Sequence, residues 1–349
     1  MRIGSRSIGP GQPVYLVAEL SANHNQSFER AVQIVRAAKA AGADALKLQT
    51  YTPETITLRS DSEIFRIKPG SLWSGRSLHE LYAEASTPWD WHGELQKIAH
   101  QLGLDFFSSP FDESAVDFLE TLNVPAYKIA SPEIVDLPLV RRTASTGKPL
   151  IISTGMATAE EIQEALDAAA RAGCSEIALL KCTSAYPAAP EEMNLRAIPA
   201  LASKFQLPVG LSDHTAGIAV PVAAVALGAC IIEKHLTLSR SGGGPDSAFS
   251  LEPHEFAEMV NAVRTAEKAL GSQQIGPASS EKASRKFRRS LFVVEDMNAG
   301  EVFSAQNVRS IRPGDGLHTR HLADVLGKTS RSRIKRGTPL AWDLVSGKP

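Results

Sequence analysis

Along the first three-quarters of the chain, short apolar runs rich in β-branched residues alternate with longer segments whose apolar positions recur every three or four residues. The short runs are mostly continuous rather than alternating, as parallel strands covered on both faces require. Eight occur in order: VYLVAE (14–19), ADALKLQT (43–50), LDFFSS (104–109), PAYKIAS (125–131), PLIIST (149–154), IALLKCTS (177–184), PVGLSD (208–213) and ACIIEKH (229–235). Between them the helical pattern covers 28–41, 78–102, 159–172 and 218–227, and a last helix over 253–270 follows the eighth run. Several of these segments end in Gly, which tolerates the left-handed backbone that closes a helix. Eight such units in order predict a closed β/α barrel, an α/β fold of roughly 250 residues. A doubly wound open sheet gives a similar alternation, but no GxGxxG motif opens the first helix, which argues against a dinucleotide-binding sheet.

Beyond 271 the pattern changes. Residues 272–286, rich in Ser and Gln, read as a linker, and 287–349 carry short β-like runs, SLFVVEDM and IKRGTPLAW, with turn pairs at Pro313-Gly314 and Arg336-Gly337. A barrel domain over 1–271 and a compact β-rich module over 287–349 are therefore expected, the module being too small for its own core to give comfortable stability. Docking onto a barrel would support it.

Composition narrows the partners. A hydrophobic fraction of 43% and a net charge of -1 describe an ordinary globular chain, without the basic excess that nucleic acid or an anionic membrane calls for. Small molecules are the expected ligands. Cys174, Cys182 and Cys230 form no CxxC pair, which suits a reducing compartment. The first residues lack the apolar core of a signal peptide, and the longest apolar stretch, 218–232, is interrupted by Pro221 and Gly228 and falls short of the ~18 residues of a membrane span. A cytoplasmic location with no membrane partner is the expectation.

Chemistry enters where strands end. Nearly every run finishes on polar or ionisable side chains, at the face where barrels of this kind build active sites. They are Glu19, Lys47 and Gln49, Ser108 and Ser109, Lys128, Ser131 and Glu133, Ser153 and Thr154, Lys181 and Ser184, Ser212 and His214, and Glu233 and His235. Singly, a Ser or Thr would cap a following helix and a Lys or Glu would be solvated. Their convergence on one rim points to a site.

His214 and His235 end consecutive strands, which are neighbours in a barrel, so both imidazoles can ligate one divalent metal, with Asp213, Glu233 and Asp246 as supporting partners. The competing reading is a pair of buried structural histidines. Two histidines with few carboxylates leave coordination positions open, which suits a catalytic Mn, Co, Zn or Fe rather than calcium. Lys47 and Lys128, with the hydroxyls of Ser109, Ser131, Ser153 and Ser212, suit an anionic, phosphorylated ligand. A Schiff base on Lys47 or Lys128 is the alternative, but such an enzyme has no need of a metal pair. Glu133 is the leading general-base candidate, with Glu19 as competitor.

The motifs VAELSANHNQS, LKLQTY, SSPFD, YKIASPEI, LLKCTSAYP, GLSDHT and IIEKHLT together resemble the sialic-acid synthases, in the same order throughout. FRRSLFVVEDMNAGE and VRSIRPGDG resemble the small antifreeze-like (SAF) domain that follows the barrel in that family. Within it, LWSGRSLHELYAEASTPWDW and SGGGPDSAFSLEPHEF resemble the pseudaminic acid enzymes more than the N-acetylneuraminate ones. The resemblance implies condensation of phosphoenolpyruvate with 2,4-diacetamido-2,4,6-trideoxy-L-altrose to give pseudaminic acid and phosphate. N-acetylneuraminate or legionaminate synthesis is the same chemistry on another amino sugar.

By the same resemblance, Lys47, Lys128, Ser109, Ser131, Ser153, Ser184 and Ser212 would bind phosphoenolpyruvate, and His214 and His235 would hold a divalent cation, Mn, Mg or Co. Lys47 and Lys128 would act in catalysis with Glu133. Glu19, Tyr186 and Asp246 would face the sugar, and Phe287 and Arg312 would reach it from the other subunit of a domain-swapped homodimer. Ser184 stands where the neuraminate enzymes have the asparagine of CTNIYP, so that contact is shortened. The segment around Trp73 and Arg76 also departs from them, and its contacts to the sugar are not transferable. A carbohydrate- or ice-binding module, the other class suggested by the tail, does not account for the lysine-lined barrel face.

Overall fold

The computed structural model describes residues 1–70, 72–272 and 275–347. Gln273 and Gln274 of the expected linker, and Lys348 and Pro349 of the expected module, lie outside the described residues. The chain opens on a short antiparallel hairpin, β1 (Arg2–Ile3) and β2 (Arg6–Ser7), which the hydrophobic pattern does not announce. Each of the eight apolar runs then forms a strand. These are β3 (Tyr15–Glu19), β4 (Ala45–Thr50), β5 (Asp105–Pro110), β6 (Tyr127–Ile129), β7 (Leu150–Ser153), β8 (Ile177–Cys182), β9 (Val209–Asp213) and β10 (Ile231–His235). All pair in parallel with their chain neighbours, and β10 closes on β3, so the expected β/α barrel is the fold.

Two elements differ from expectation for reasons of backbone chemistry. The helix expected over 78–102 is two helices, Leu78–Ala85 and His92–Gln101, joined through a 3-10 turn at Trp89–Trp91. Pro88 lacks an N–H and disfavours helical backbone at the residue before it, and the chain is already extended at Ser86, ψ 136°. The fourth barrel run shortens to three residues, Tyr127–Ile129, and pairs with β5 at a single position, Ser108 with Tyr127.

Register decides which polar groups face the barrel interior. Glu19 lies beside Lys47 on one side and His235 on the other, and Cys182 beside Ser212, which lies beside Glu233. Parallel partners share a face, and alternate residues along a strand point to opposite faces. Glu19, Lys47, Ser109, Lys128, Ser153, Ser212, Glu233 and His235 are therefore one inward set, whereas Ser108, Lys181, Asp213 and Lys234 face outward toward the helical layer.

By its internal contacts the chain forms two compact units, Met1–Gly271 and a second starting at Ser272. In the second, two 3-10 turns, Ser279–Glu281 and Ala283–Phe287, precede an antiparallel pair, β11 (Ser290–Val293) and β12 (Val308–Ile311). The run SLFVVEDM supplies β11. IKRGTPLAW is not a strand: it joins through isolated bridges, Ile334 to Met297 and Pro339 to Phe292, because Gly337 (φ +87°) and the donor-less Pro339 interrupt it. Leu291, Val293, Met297, Phe303, Ile334 and Leu340 form this unit's own buried core. Among the described residues, no helix is long and apolar enough to cross a membrane.

Candidate active site

A cavity of about 420 Å³ lies at the C-terminal ends of the barrel strands. Its floor is ionic. Lys47 Nζ is 2.6 Å from a carboxylate oxygen of Glu19 and donates to Ser109 Oγ at 3.2 Å, while Lys128 Nζ donates to Glu233 Oε1 at 3.3 Å. Ser212 Oγ donates to the same Glu233 oxygen at 3.0 Å, and Lys47 stands 3.9 Å from the other. All four charged groups are buried.

Burial sets the titration of this floor against its charges. It raises the Glu19 carboxyl well above the carboxylate range, and Lys47 offsets only part of that. Glu233 is equally buried, yet Lys128 and Lys47 together outweigh burial and hold it below its ordinary value. Burial alone would lower Lys47, but Glu19 and Glu233 turn the net shift upward; for Lys128 burial prevails and the net shift is downward. Lys47 is thus held as an ammonium by two carboxylates, the opposite of what a Schiff-base lysine needs.

The hydroxyls stand around this floor. Ser153 Oγ is buried with no hydrogen-bond partner, and Ser131 Oγ accepts from the Gly155 N–H at 3.1 Å. Gly155 is a residue that sequence reasoning passed over: a Cβ there would stand 2.5 Å from Ser184 Oγ and 2.7 Å from Ser131 Oγ, so only glycine lets the two serines approach. Its position directly after a Ser-Thr strand end was the available signal. Ser109, Ser131, Ser153 and Ser212 all line the cavity, while Glu19 is buried beside Lys47 and Ser184 and Glu133 are half-buried next to lining residues. Glu133 follows the cavity-lining Ser131 and Pro132 in a 3-10 turn, Pro132–Val135; its Oε2 is buried without a partner, and burial pushes its carboxyl up to about 7 against the pull of Lys128.

Beside the floor, the His214 and His235 rings face each other with centroids 5.4 Å apart. His214 Nδ1 lies 3.1 Å from the Thr183 carbonyl, which can only accept, so Nδ1 carries a proton; burial alone would lower the pKa of this ring, but Cys182 and the Thr183 carbonyl turn the net shift upward. His235 Nδ1 is buried with no hydrogen-bond partner and stands 4.0 Å from Asp246; burial, then the charge of His214, holds this ring well below its ordinary pKa and so neutral. Among the described residues no group of three or more His, Cys, Asp or Glu could hold a metal ion. Two convergent imidazoles, one with an orphaned nitrogen, nonetheless fit a divalent cation that would displace a proton from His214 and leave its other positions to water and substrate. Asp246 accepts from Ser21 Oγ and, at 3.4 Å, from the Ala22 N–H. Asp213 does not support the imidazoles as expected: it faces outward and pairs with Lys234.

An aromatic wall continues from the imidazoles. Tyr186 packs 4.5 Å from His214, Phe249 lies 4.9 Å from His235, and Trp73 lies 5.7 Å from Tyr186, all distances between ring centroids. Phe249 carried no pattern that marked it in advance. Phe287, 65% exposed, and Arg312, also exposed, belong to the second unit.

The NeuB family model matches residues 34–275, and the SAF domain model residues 288–346. The chain is 46% identical over 334 residues to the pseudaminic acid synthase of Helicobacter pylori, spanning 95% of this chain and 98% of that one. It is 47% identical over 340 residues to the pseudaminic acid synthase of Campylobacter jejuni, spanning 97% and 98%. Among solved structures, the N-acetylneuraminic acid (sialic acid) synthetase of Leptospira borgpetersenii in complex with citrate is similar at a TM-score of 0.73 and 32% identity, over 81% of this chain and 94% of that one. A barrel with this ionic floor, matched by one model from its first helix to its last and by relatives along nearly its whole length, belongs to the NeuB family.

Proposed function

We propose that the chain condenses phosphoenolpyruvate with 2,4-diacetamido-2,4,6-trideoxy-L-altrose and water, giving pseudaminic acid and phosphate. The observation that carries this reading is one cavity joining a lysine- and serine-lined anion floor to two convergent imidazoles, in a chain 46% and 47% identical to two pseudaminic acid synthases.

Lys47, Lys128, Ser109, Ser131, Ser153 and Ser212 hold the phosphate and carboxylate of phosphoenolpyruvate, with Ser184 supporting through its approach to Gly155. Glu233 fixes the lysines and leaves their remaining N–H donors for the ligand. A divalent cation on His214 and His235, Mn, Mg or Co, would supply Lewis acidity toward the aldehyde oxygen of the sugar. Asp246 and Tyr186 position that sugar beside the imidazoles, with Glu19 buttressing Lys47.

The π electrons of phosphoenolpyruvate form the bond from its C3 to the aldehyde carbon, the carbonyl π pair moves to the aldehyde oxygen, which takes up a proton, and positive charge develops at C2. Glu133, whose carboxyl is raised to about 7, takes a proton from the water that adds at C2. The new C2 hydroxyl gives up its proton as the C2–O bond to phosphate breaks, leaving the keto acid and inorganic phosphate. In ¹⁸O-labelled water the label belongs in the sugar acid; label in the phosphate overturns this route. Chelation should abolish turnover and added Mn²⁺ restore it.

The division of labour we propose is a catalytic barrel over 1–271, a linker over 272–286 and an SAF module over 287–349. Phe287 and Arg312 are exposed in their own unit, and we assign them to the sugar site of a second copy in a homodimer. Three free, buried cysteines support a cytoplasmic location.

A further inference from the structure

The cavity is lined by apolar as well as ionic side chains, and one loop with the helix that follows it supplies several of them. In the segments 66–70 and 72–77, Arg66 and Ser77 face each other across an arch, the Ile67 N–H donates to the Arg76 carbonyl at 2.9 Å, and Gly75 takes a positive φ of +83°. Arg76 fastens the arch to the helix Leu78–Ala85, donating to the Glu80 carbonyl at 3.2 Å and to the Glu84 carboxylate at 2.5 Å. Ile67, Trp73, Leu78, Leu81 and Tyr82 from this one unit line the cavity.

Trp73 lines the cavity. Its indole N–H donates at 2.8 Å to the carbonyl of Pro245, the residue before Asp246, so the loop after β4 is tied to the loop after β10. With its only side-chain donor thus engaged, the ring offers the cavity carbon surface alone. Its contact with Tyr186, which in turn packs on His214, puts it one ring removed from the imidazole pair. An aldehyde carbon beside the imidazoles therefore leaves the far carbons of the sugar against the indole and its apolar neighbours.

Resting on the function proposed above, we propose that Trp73 is a specificity-determining residue that closes this wall over the distal end of the sugar and selects one bearing methyl and acetamido groups there instead of hydroxyls. A hydroxyl held against the indole face finds no partner there, whereas a methyl group, free or at the end of an acetamido group, needs none. An apolar pocket of this kind discriminates against an added hydroxyl by about 10²-fold.

The test uses the full chain with Mn²⁺ and two aldehydes of the same stereochemistry: 2,4-diacetamido-2,4,6-trideoxy-L-altrose and 2-acetamido-2-deoxy-L-altrose, which has hydroxyls at C4 and C6. Turnover is measured for the first, and the inhibition constant of the second is measured against it. Trp73→Ala should raise KM for the trideoxy sugar by about tenfold while KM for phosphoenolpyruvate stays within twofold, and should narrow the preference over the hydroxylated sugar by about tenfold. Trp73→Phe should keep most of the preference. An unchanged sugar KM in Trp73→Ala, or a parallel rise in both KM values, overturns the role of Trp73. Wild-type protein that forms no product from the trideoxy sugar overturns the function instead, so the two failures are distinct.

Discussion

Two lysine–carboxylate groups occupy the same stretch of barrel wall and face opposite ways. On the outer side, Lys234 pairs with Asp213 and donates to the Thr215 carbonyl, while the Thr215 N–H and Oγ1 donate to the same carboxylate at 3.0 and 3.2 Å. Both charged side chains are 0% exposed, and the group is closed on itself. On the inner side, one residue earlier on each strand, Ser212 and Glu233 join Lys128 and Lys47, and here atoms are left over: Glu19 Oε1, Glu233 Oε2 and Ser153 Oγ make no hydrogen bond. Buried polar groups are almost always satisfied, and exceptions concentrate where something else binds. The outer pair is closed on itself, and the inner cluster keeps unpartnered atoms for the ligand we propose.

The comparison breaks if the inner residues prove structural. Lys128→Met should lower kcat/KM by about 10³-fold while costing less stability than loss of the outer lysine, because Lys47 and Ser212 remain beside Glu233, measured by steady-state kinetics and urea unfolding. Loss of stability without selective loss of turnover would reverse the assignment. The outer pair should behave in the opposite manner. Lys234→Met leaves Asp213 buried and unpaired and should cost about 3–5 kcal/mol in urea unfolding, whereas replacing both partners by apolar residues of similar volume should recover most of it.

Acidity sharpens the contrast further. Because Glu133 must be ionised to accept a proton and its carboxyl sits at about 7, kcat/KM should fall tenfold per pH unit below that value, and Glu133→Gln should flatten the profile at a low level. A carboxyl raised in the folded state favours folding only while protonated, so that contribution fades as pH climbs from 4.5 to about 7. Glu133→Gln should accordingly be at least as stable as wild type at pH 8 by thermal unfolding. The smallest effect belongs to Ser153→Ala: no hydrogen bond is lost on removing its hydroxyl, so stability should hardly change, while KM for phosphoenolpyruvate rises about five- to tenfold, equivalent to ~1 kcal/mol.

Most of the barrel was legible from the hydrophobic pattern because parallel strands buried on both faces have no alternation to blur, and short loops keep them in order. The rim of polar residues at strand ends was legible for the same reason. Which of those residues face inward was also encoded, since Glu233 and His235 lie two apart and so share a face, while Asp213 lies one from His214 and cannot. The helix break at Pro88 was readable too, had the proline been weighed above the apolar periodicity.

Other features had no local signal. The contact from Trp73 to Pro245 joins positions 172 residues apart, and the close packing of Ser131 and Ser184 on Gly155 depends on three different strand ends meeting. The amino-acid sequence by itself determined the strands, their order and the supply of lysines, serines and histidines at their ends, because these follow from short-range periodicity and chain connectivity. Only the tertiary structure decided that burial raises the Glu19 and Glu133 carboxyls, that two imidazoles converge with a nitrogen to spare, and that Asp213 closes on Lys234. Those outcomes depend on register and burial around a closed ring, where each side chain's surroundings are set by strands far away in the chain.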